Sequence, residues 1–305
     1  VAAVCLLWIR RRDWLSLALG FAAVHGAGLA ALWTSGAVGA YWRQVWVWGA
    51  VYSRDSFVDQ PLLEGLRRTA AWAGFHAAIV IAAAWFWLGE RSSESRRLAL
   101  WTVAALAGVV LGWRFFPRYY FILLPPVAIA ASRGFTRMPR PAALAVAALL
   151  AIPLARFGPR YATLAVDLLR HREPQWSDVA MAQDSAEASR LITRLRQPGD
   201  TLLVWGYRPD IFMRTRMPVG APFLDSQPLT GVIADRHLTR SDASAPQLAA
   251  ANRRSLAATR PTFVVDGLGL FNPELAIGRY ADLQPWFARY YECGRTRNSV
   301  VYRLR

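Results

Sequence analysis

The stretch WLSLALGFAAVHGAGLAALWT, Trp14 to Thr34, contains neither a formally charged residue nor a proline. A helix that crosses a bilayer needs roughly 20 residues of this kind, so the run reads as a membrane span. Upstream of it, VAAVCLLWI (1–9) is apolar but too short to cross, and RRRD follows it instead of preceding it, the reverse of a secretory leader. With Val at its first position, that segment reads as the end of a helix whose start lies further upstream.

Downstream, a polar and aromatic stretch reaches Arg68, and a second long apolar run follows, TAAWAGFHAAIVIAAAWFWLG, Thr69 to Gly89. After ERSSESRR come a third run, Leu98 to Trp113, a fourth from Phe115 or Tyr119 to Ala131, and a fifth from Ala142 to Phe157. The fourth is short and holds Pro125 and Pro126, so it reads either as a span or as a re-entrant segment. If every run crosses, then RRRD, ERSSESRR and SRGFTRMPR share one side, which the positive-inside rule assigns to the cytoplasm. The loop 35–68, the turn RFFPRYY and everything after Phe157 then lie outside.

The tail has a different character. Residues 1–157 carry 16 Arg against 6 acids, whereas 158–305 carry 20 against 14 and read as a soluble α/β composition. A helical pattern through AEASRLITRL leads by the turn PGD to TLLVW, a buried strand; PQLAAANRRSLAAT, a helix, precedes TFVVD; and YYECGRTRNSVVYRL reads as two strands around a polar turn. The expected fold is an α-helical integral membrane bundle (1–157) followed by a small extracytoplasmic α/β domain (158–305).

Whole-chain composition agrees with a membrane protein. Of 305 residues 54% are hydrophobic, 14 are Trp and the mean hydropathy is +0.20, which argues against an ordinary soluble domain and excludes an acidic disordered tail. All 36 basic side chains are arginine and the net charge is +16, yet the arginines punctuate apolar runs, where a nucleic-acid binder would gather them on a soluble face. No nucleic-acid partner is expected. Two cysteines, Cys5 and Cys293, give no disulfide or thiolate metal site, and His25, His76, His171 and His237 lack zinc-ligand spacing.

Candidate chemistry centres on WRFFPRYYFILLPP, Trp113 to Pro126. In the expected topology RFFPRYY is a tight turn at the outer membrane face. Arg114 and Arg118 could hold a phosphate there by paired N–H donors, with hydroxyls from Tyr119 and Tyr120. The competing reading is anchoring, with arginines snorkelling to the interface and Trp113, Tyr119 and Tyr120 in an aromatic belt.

The segments GWRFFPRYYFILLPPVAIAASRG, AYWRQVWVWGAVYSRDSFVDQPLLEGLRRTAAW and VWGYRPDIFMRTRMPVGAPFLDSQPLTG together resemble the C-terminal part of bacterial glycosyltransferase family 39 proteins. These are similar to dolichyl-phosphate-mannose protein mannosyltransferases and lipid A aminoarabinose transferases, of the multi-spanning GT-C class. The resemblance implies a multi-pass protein of the bacterial inner membrane, acting in the cell envelope. It would transfer a sugar from a polyprenyl-phosphate donor to a lipid, protein or glycan hydroxyl on the extracytoplasmic face. It further implies that Arg114, Arg118, Tyr119 and Tyr120 bind the donor phosphate, that a divalent metal is needed in some relatives only, and that the catalytic Asp sits in a first outer loop upstream of Val1. Many relatives have His-Tyr where this chain has Arg118-Tyr119.

Other carboxylates and polar groups offer weaker alternatives. Asp55, Asp59 and Glu64 lie in the 35–68 loop, where a general base could act, although SRDSFVDQPLLEGLRR also reads as an interfacial helix start with acids early and arginines late. Tyr207, Arg208 and Asp210 follow the TLLVW strand and could face a ligand, or Pro209 could simply open a helix. His25 and His76 read as histidines hydrogen-bonded within the spans, and Gly267 and Gly269 as turn glycines. A second function class, a non-catalytic transporter or envelope scaffold with a soluble binding domain, would show internal repeats or broken helices, and hydropathy displays neither.

Overall fold

The computed structural model describes residues 13–54, 60–172, 176–233 and 236–305. Most of the described chain is helical, and a four-stranded sheet is confined to the C-terminal region. Among the described residues two helices are long and apolar enough to cross a membrane, Trp14–Thr34 and Arg140–Leu169, with mean hydropathies of 1.8 and 1.7 and no part of either apolar window buried against protein. A third would be added if Pro61–Phe75 and Ala77–Gly89 form one span. Apolar surface this large, uncovered by protein, belongs in lipid.

Contacts divide the described residues into two compact units, one of 13–36 with 60–163 and the other of 37–54 with the described part of 164–305. In the first unit, Ala77–Gly89 packs on Leu124–Arg137 through Ala82, Ala83, Ala130 and Ala131, all fully buried. A Cβ on Gly134 would overlap the Ala82 carbonyl, so the two backbones touch where only glycine fits. Small residues at a helix crossing are how helices associate where lipid removes the hydrophobic drive between them. Glu94 pairs with Arg133 at 3.1 Å and Glu90 with Arg137 at 2.5 Å, which brings the ERSSESRR and SRGFTRMPR turns to one end of this unit.

Several boundaries depart from the hydropathy reading. The Thr69–Gly89 run is not one straight helix: Pro61–Phe75 and Ala77–Gly89 meet at His76 with a bend of 93°. The third helix starts at Ser93, earlier than Leu98, because Ser92 Oγ accepts the Ser95 N–H at 3.2 Å and caps it. The fourth run opens as a 3₁₀ stretch, Pro117–Leu123, and becomes α-helix only over Leu124–Arg137. Its two prolines occupy the first helical turn, where a missing N–H costs no hydrogen bond, so they begin this helix and do not break it. The last apolar helix, Ala151–Leu169, runs on past Phe157.

The second unit contains strands β1 (Leu202–Trp205), β2 (Phe263–Asp266), β3 (Tyr290–Arg295) and β4 (Val300–Leu304) in the order β1-β2-β4-β3. β1 and β2 are parallel, while β4 runs antiparallel to both β2 and β3. β1 is apolar at every position and β2 at all but Asp266, and both are buried along their whole length, as strands covered on both faces are. Leu203, Trp205 and Val264 meet Leu256 and Trp286 on one side, and Leu202, Val204 and Val265 meet Ala188 and Ile192 of the Ser177–Leu195 helix on the other. The result is three layers, helix, sheet and helix.

Candidate functional site

The Pro61–Phe75 helix presents Glu64, Gly65, Arg68, Thr69 and Trp72 at three- and four-residue spacing, hence on one face. That face grips the turn between Val110 and Leu124. Arg68 Nε donates to Glu64 Oε1 at 2.6 Å, and its Nη1 donates to the backbone carbonyls of Arg114 at 3.1 Å and Phe115 at 3.3 Å. The Phe115 ring lies so close over Gly65 that a Cβ there would overlap it. Thr69 Oγ1 and the Tyr120 hydroxyl are hydrogen-bonded at 2.8 Å, and Trp72 stacks on Tyr120 with centroids 5.8 Å apart.

This scaffold holds an unusual backbone. Trp113 and Phe115, on either side of Arg114, take φ values of 49° and 47°. Such left-handed geometry costs a bulky L-residue about 1–2 kcal/mol, because Cβ crowds the following carbonyl. The packing around Phe115 and the carbonyl bonds from Arg68 offset that strain and fix the turn. Strained residues of this kind concentrate at functional sites.

The four residues proposed for phosphate do not share one environment. Arg114 is only 1% exposed and Tyr120 is buried beside Trp72, whereas Arg118 is exposed and Tyr119 half-buried. Arg118 stands with its guanidinium carbon 4.9 Å from the Phe116 ring centroid and 5.7 Å from that of Tyr119. The aromatic faces steady the cation, which stays exposed. Reading the sequence missed Arg68 and Glu64 as the brace of this turn, though a Glu followed four positions later by an Arg was the signal for it.

Among the weaker candidates, Asp55 and Asp59 lie outside the described residues. Glu64 is committed to Arg68 and stands 3.7 Å from Arg67. Tyr207 is exposed beyond β1, but Arg208 is 3% exposed and its guanidinium is spent inside the α/β unit. It donates to Asp184 Oδ2 and to Ser299 Oγ, both at 2.6 Å, to Ser185 Oγ at 2.7 Å and to the Met181 carbonyl at 2.7 Å. Asp210 accepts from Ser185 Oγ and from Arg214 Nε, each at 3.2 Å. Burial raises the Asp184 pKa, but hydrogen bonds from Thr296, Arg208, the Asn298 N–H and Ser299 outweigh it and hold the carboxyl below its ordinary value of 3.8.

The glycine-rich stretch after β2 has a local explanation. Asp266 accepts the N–H groups of Leu268, Gly269 and Ile277 at 3.0, 2.7 and 3.0 Å and so ties down the loop. Burial pushes its pKa up despite these donors. His25 and His76 each bond through Nδ1 to the carbonyl four residues earlier, Phe21 at 2.8 Å and Trp72 at 2.9 Å. Among the described residues no three His, Cys, Asp or Glu side chains come together as a metal site would require. Set against known proteins, the chain matches no family model, no curated protein and no solved structure.

Proposed function

We propose that this chain is the donor-side portion of a multi-spanning membrane glycosyltransferase, in which the Trp113–Tyr120 turn receives the phosphate of a polyprenyl-phosphate sugar. The observation that carries the reading is the turn itself: two arginines four positions apart on a backbone strained on both sides of Arg114 and braced by Arg68. The resemblance of this segment to family 39 transferases supports it, as do the two apolar helices.

In this reading the acceptor hydroxyl displaces the donor phosphate at the anomeric carbon. The C–O bond to the leaving phosphate breaks as the new glycosidic bond forms, and the acceptor proton passes to a carboxylate base. Negative charge collects on the departing phosphate, and Arg118, exposed and steadied by Phe116 and Tyr119, is the group suited to meet it. Arg114 holds the turn's shape from within. The helical unit forms part of a larger integral bundle, the membrane is the bacterial inner one, and the α/β unit lies outside it. The test is transfer of radiolabelled sugar from a polyprenyl-phosphate donor by membranes containing the protein. Unchanged turnover in Arg118→Ala would return the turn to an anchoring role.

One observation favours the second reading, a transporter. The 93° break at His76 between Pro61–Phe75 and Ala77–Gly89 is the kind of interrupted helix that lines substrate paths in secondary transporters. Proteoliposomes separate the two: a transferase consumes donor and yields polyprenyl phosphate, whereas a transporter moves solute with no donor cleaved.

A further inference from the structure

The segment that follows the first apolar helix belongs, by its contacts, to the α/β unit. Only Ser35, Gly36 and Ala37 separate the end of Trp14–Thr34 from this second helix, which runs through Val38–Tyr41, a π-helical Trp42–Val47 and Trp48–Arg54. It is joined to the unit by the Gln44 side-chain amide, which donates to the Pro222 carbonyl. Val47, Trp48, Val51 and Tyr52, near Gln44's side of the helix, are half-buried.

A second stripe on the same helix is exposed, and it is apolar throughout. Val38, Tyr41, Trp42, Val45 and Trp46 recur at three- and four-residue spacing, and Trp42 and Trp46 are 59% and 57% exposed, their rings 6.1 Å apart. Water is a poor neighbour for this face. From Ala37 to Arg54 the sequence has no acidic residue and two arginines, Arg43 and Arg54. Exposed tryptophan and tyrosine with flanking arginine is the composition that settles at the boundary of headgroups and acyl chains.

We infer that the Val38–Arg54 helix lies in the bilayer interface with its Val38, Tyr41, Trp42, Val45 and Trp46 face in lipid and its Gln44 edge on the α/β unit, anchoring that unit to the membrane surface. Its occupant is the bilayer and not another protein, for two reasons. A three-residue tether to an apolar helix that itself has no protein cover reaches at most about 10 Å, so the stripe cannot leave the membrane's neighbourhood. Arg43, with no acid within ten residues of it in sequence, suits anionic headgroups. The inference rests on the two apolar helices and stands whether or not the protein is a transferase.

The experiment uses the whole protein in nanodiscs that mix an anionic with a zwitterionic phospholipid. Nitroxide labels are placed singly at Trp46→Cys and at Val38→Cys, with Cys5 and Cys293 replaced by serine. Collisions with oxygen, which concentrates among acyl chains, are compared with collisions with a water-soluble nickel chelate. Both labels are expected to meet oxygen several-fold more often than nickel, at a depth near the headgroup boundary. Nickel-dominated collisions would put the face in water, and low rates for both reagents would put it against protein; either result overturns the inference. The Val38 label tests the face with both tryptophans in place.

Discussion

Arg208 and Asp184 form an ion pair at 2.6 Å in which both side chains are almost completely buried, one placed by the turn after β1 and the other by the Ser177–Leu195 helix. Ser299 bridges them, since its Oγ donates to Asp184 at 2.8 Å while accepting from Arg208 at 2.6 Å. The pair therefore fastens the helix, the β1 turn and the start of β4 to one another.

Breaking this pair leaves a buried charge without compensation. Arg208→Met is expected to destabilise the α/β unit by about 3–5 kcal/mol. Hydrogen exchange should reveal the loss in β1, β2 and β4 while leaving the Ala77–Gly89 helix protected as before.

The same pair sets an acid limit. Because the folded Asp184 pKa lies below its unfolded value, its contribution is complete above the unfolded pKa and is lost as pH falls through the folded one. Unfolding of the α/β unit followed below pH 4 should show this loss, and Arg208→Met should shift it to higher pH, because the guanidinium helps keep the carboxylate ionised.

In the helical unit the close approach of Gly134 to the Ala82 carbonyl makes Gly134→Ala a sensitive probe. The added methyl meets backbone, which cannot rotate away, so a loss of about 1–3 kcal/mol is expected. A lowered unfolding temperature in detergent would register it, whereas Gly74→Ala, with open space at its Cβ, should leave that temperature unchanged or raise it.

Arg114 and Arg118 should separate in their effects. Arg118→Ala removes an exposed side chain, so stability should stay within about 0.5 kcal/mol, while sugar transfer falls on the order of a hundredfold. Arg114→Ala empties a buried position and should lower the unfolding temperature as well as turnover. Arg114→Lys tests whether charge alone suffices: a planar fork in a packed site is not replaced by a point charge, so turnover should stay low.

Strain at the turn can be probed directly. Trp113→Gly accepts the left-handed backbone without cost and should relieve about 1 kcal/mol of strain. If that backbone geometry presents Arg118 to the donor, turnover falls even as the unfolding temperature holds or rises.

Much of this architecture is written in local pattern. An uncharged run marks Trp14–Thr34, and the apolar cores of TLLVW and TFVVD mark strands covered on both faces, because burial selects composition directly. Hydropathy says nothing of backbone direction, so the break at His76 went unseen inside a run that looked continuous. Pro125 and Pro126 looked like breakers because their place relative to a helix start depends on the preceding 3₁₀ turn, which composition does not reveal. Arg114 and Arg118 stood out as charges between apolar runs, but the burial of Arg114 is a tertiary feature, in a turn whose carbonyl is held by Arg68, 46 positions away. Arg208 looked available for a ligand because its partners, Asp184 and Ser299, are 24 and 91 positions distant.

The seat of β4 between β2 and β3 also bears on how the chain assembles as it leaves the ribosome. The parallel β1–β2 pair and the Ser177–Leu195 helix can dock once Asp266 has emerged, but β3 has no ladder partner until Val300–Leu304 is released. The same segment brings the Ser299 hydroxyl to the buried Arg208–Asp184 pair, so β3–β4 pairing and completion of that hydrogen-bond network go together. Until then β2 offers an open edge and Asp184 stays reachable by water. β4 is an interior strand that follows the other three in the chain, so the sheet closes only when it arrives.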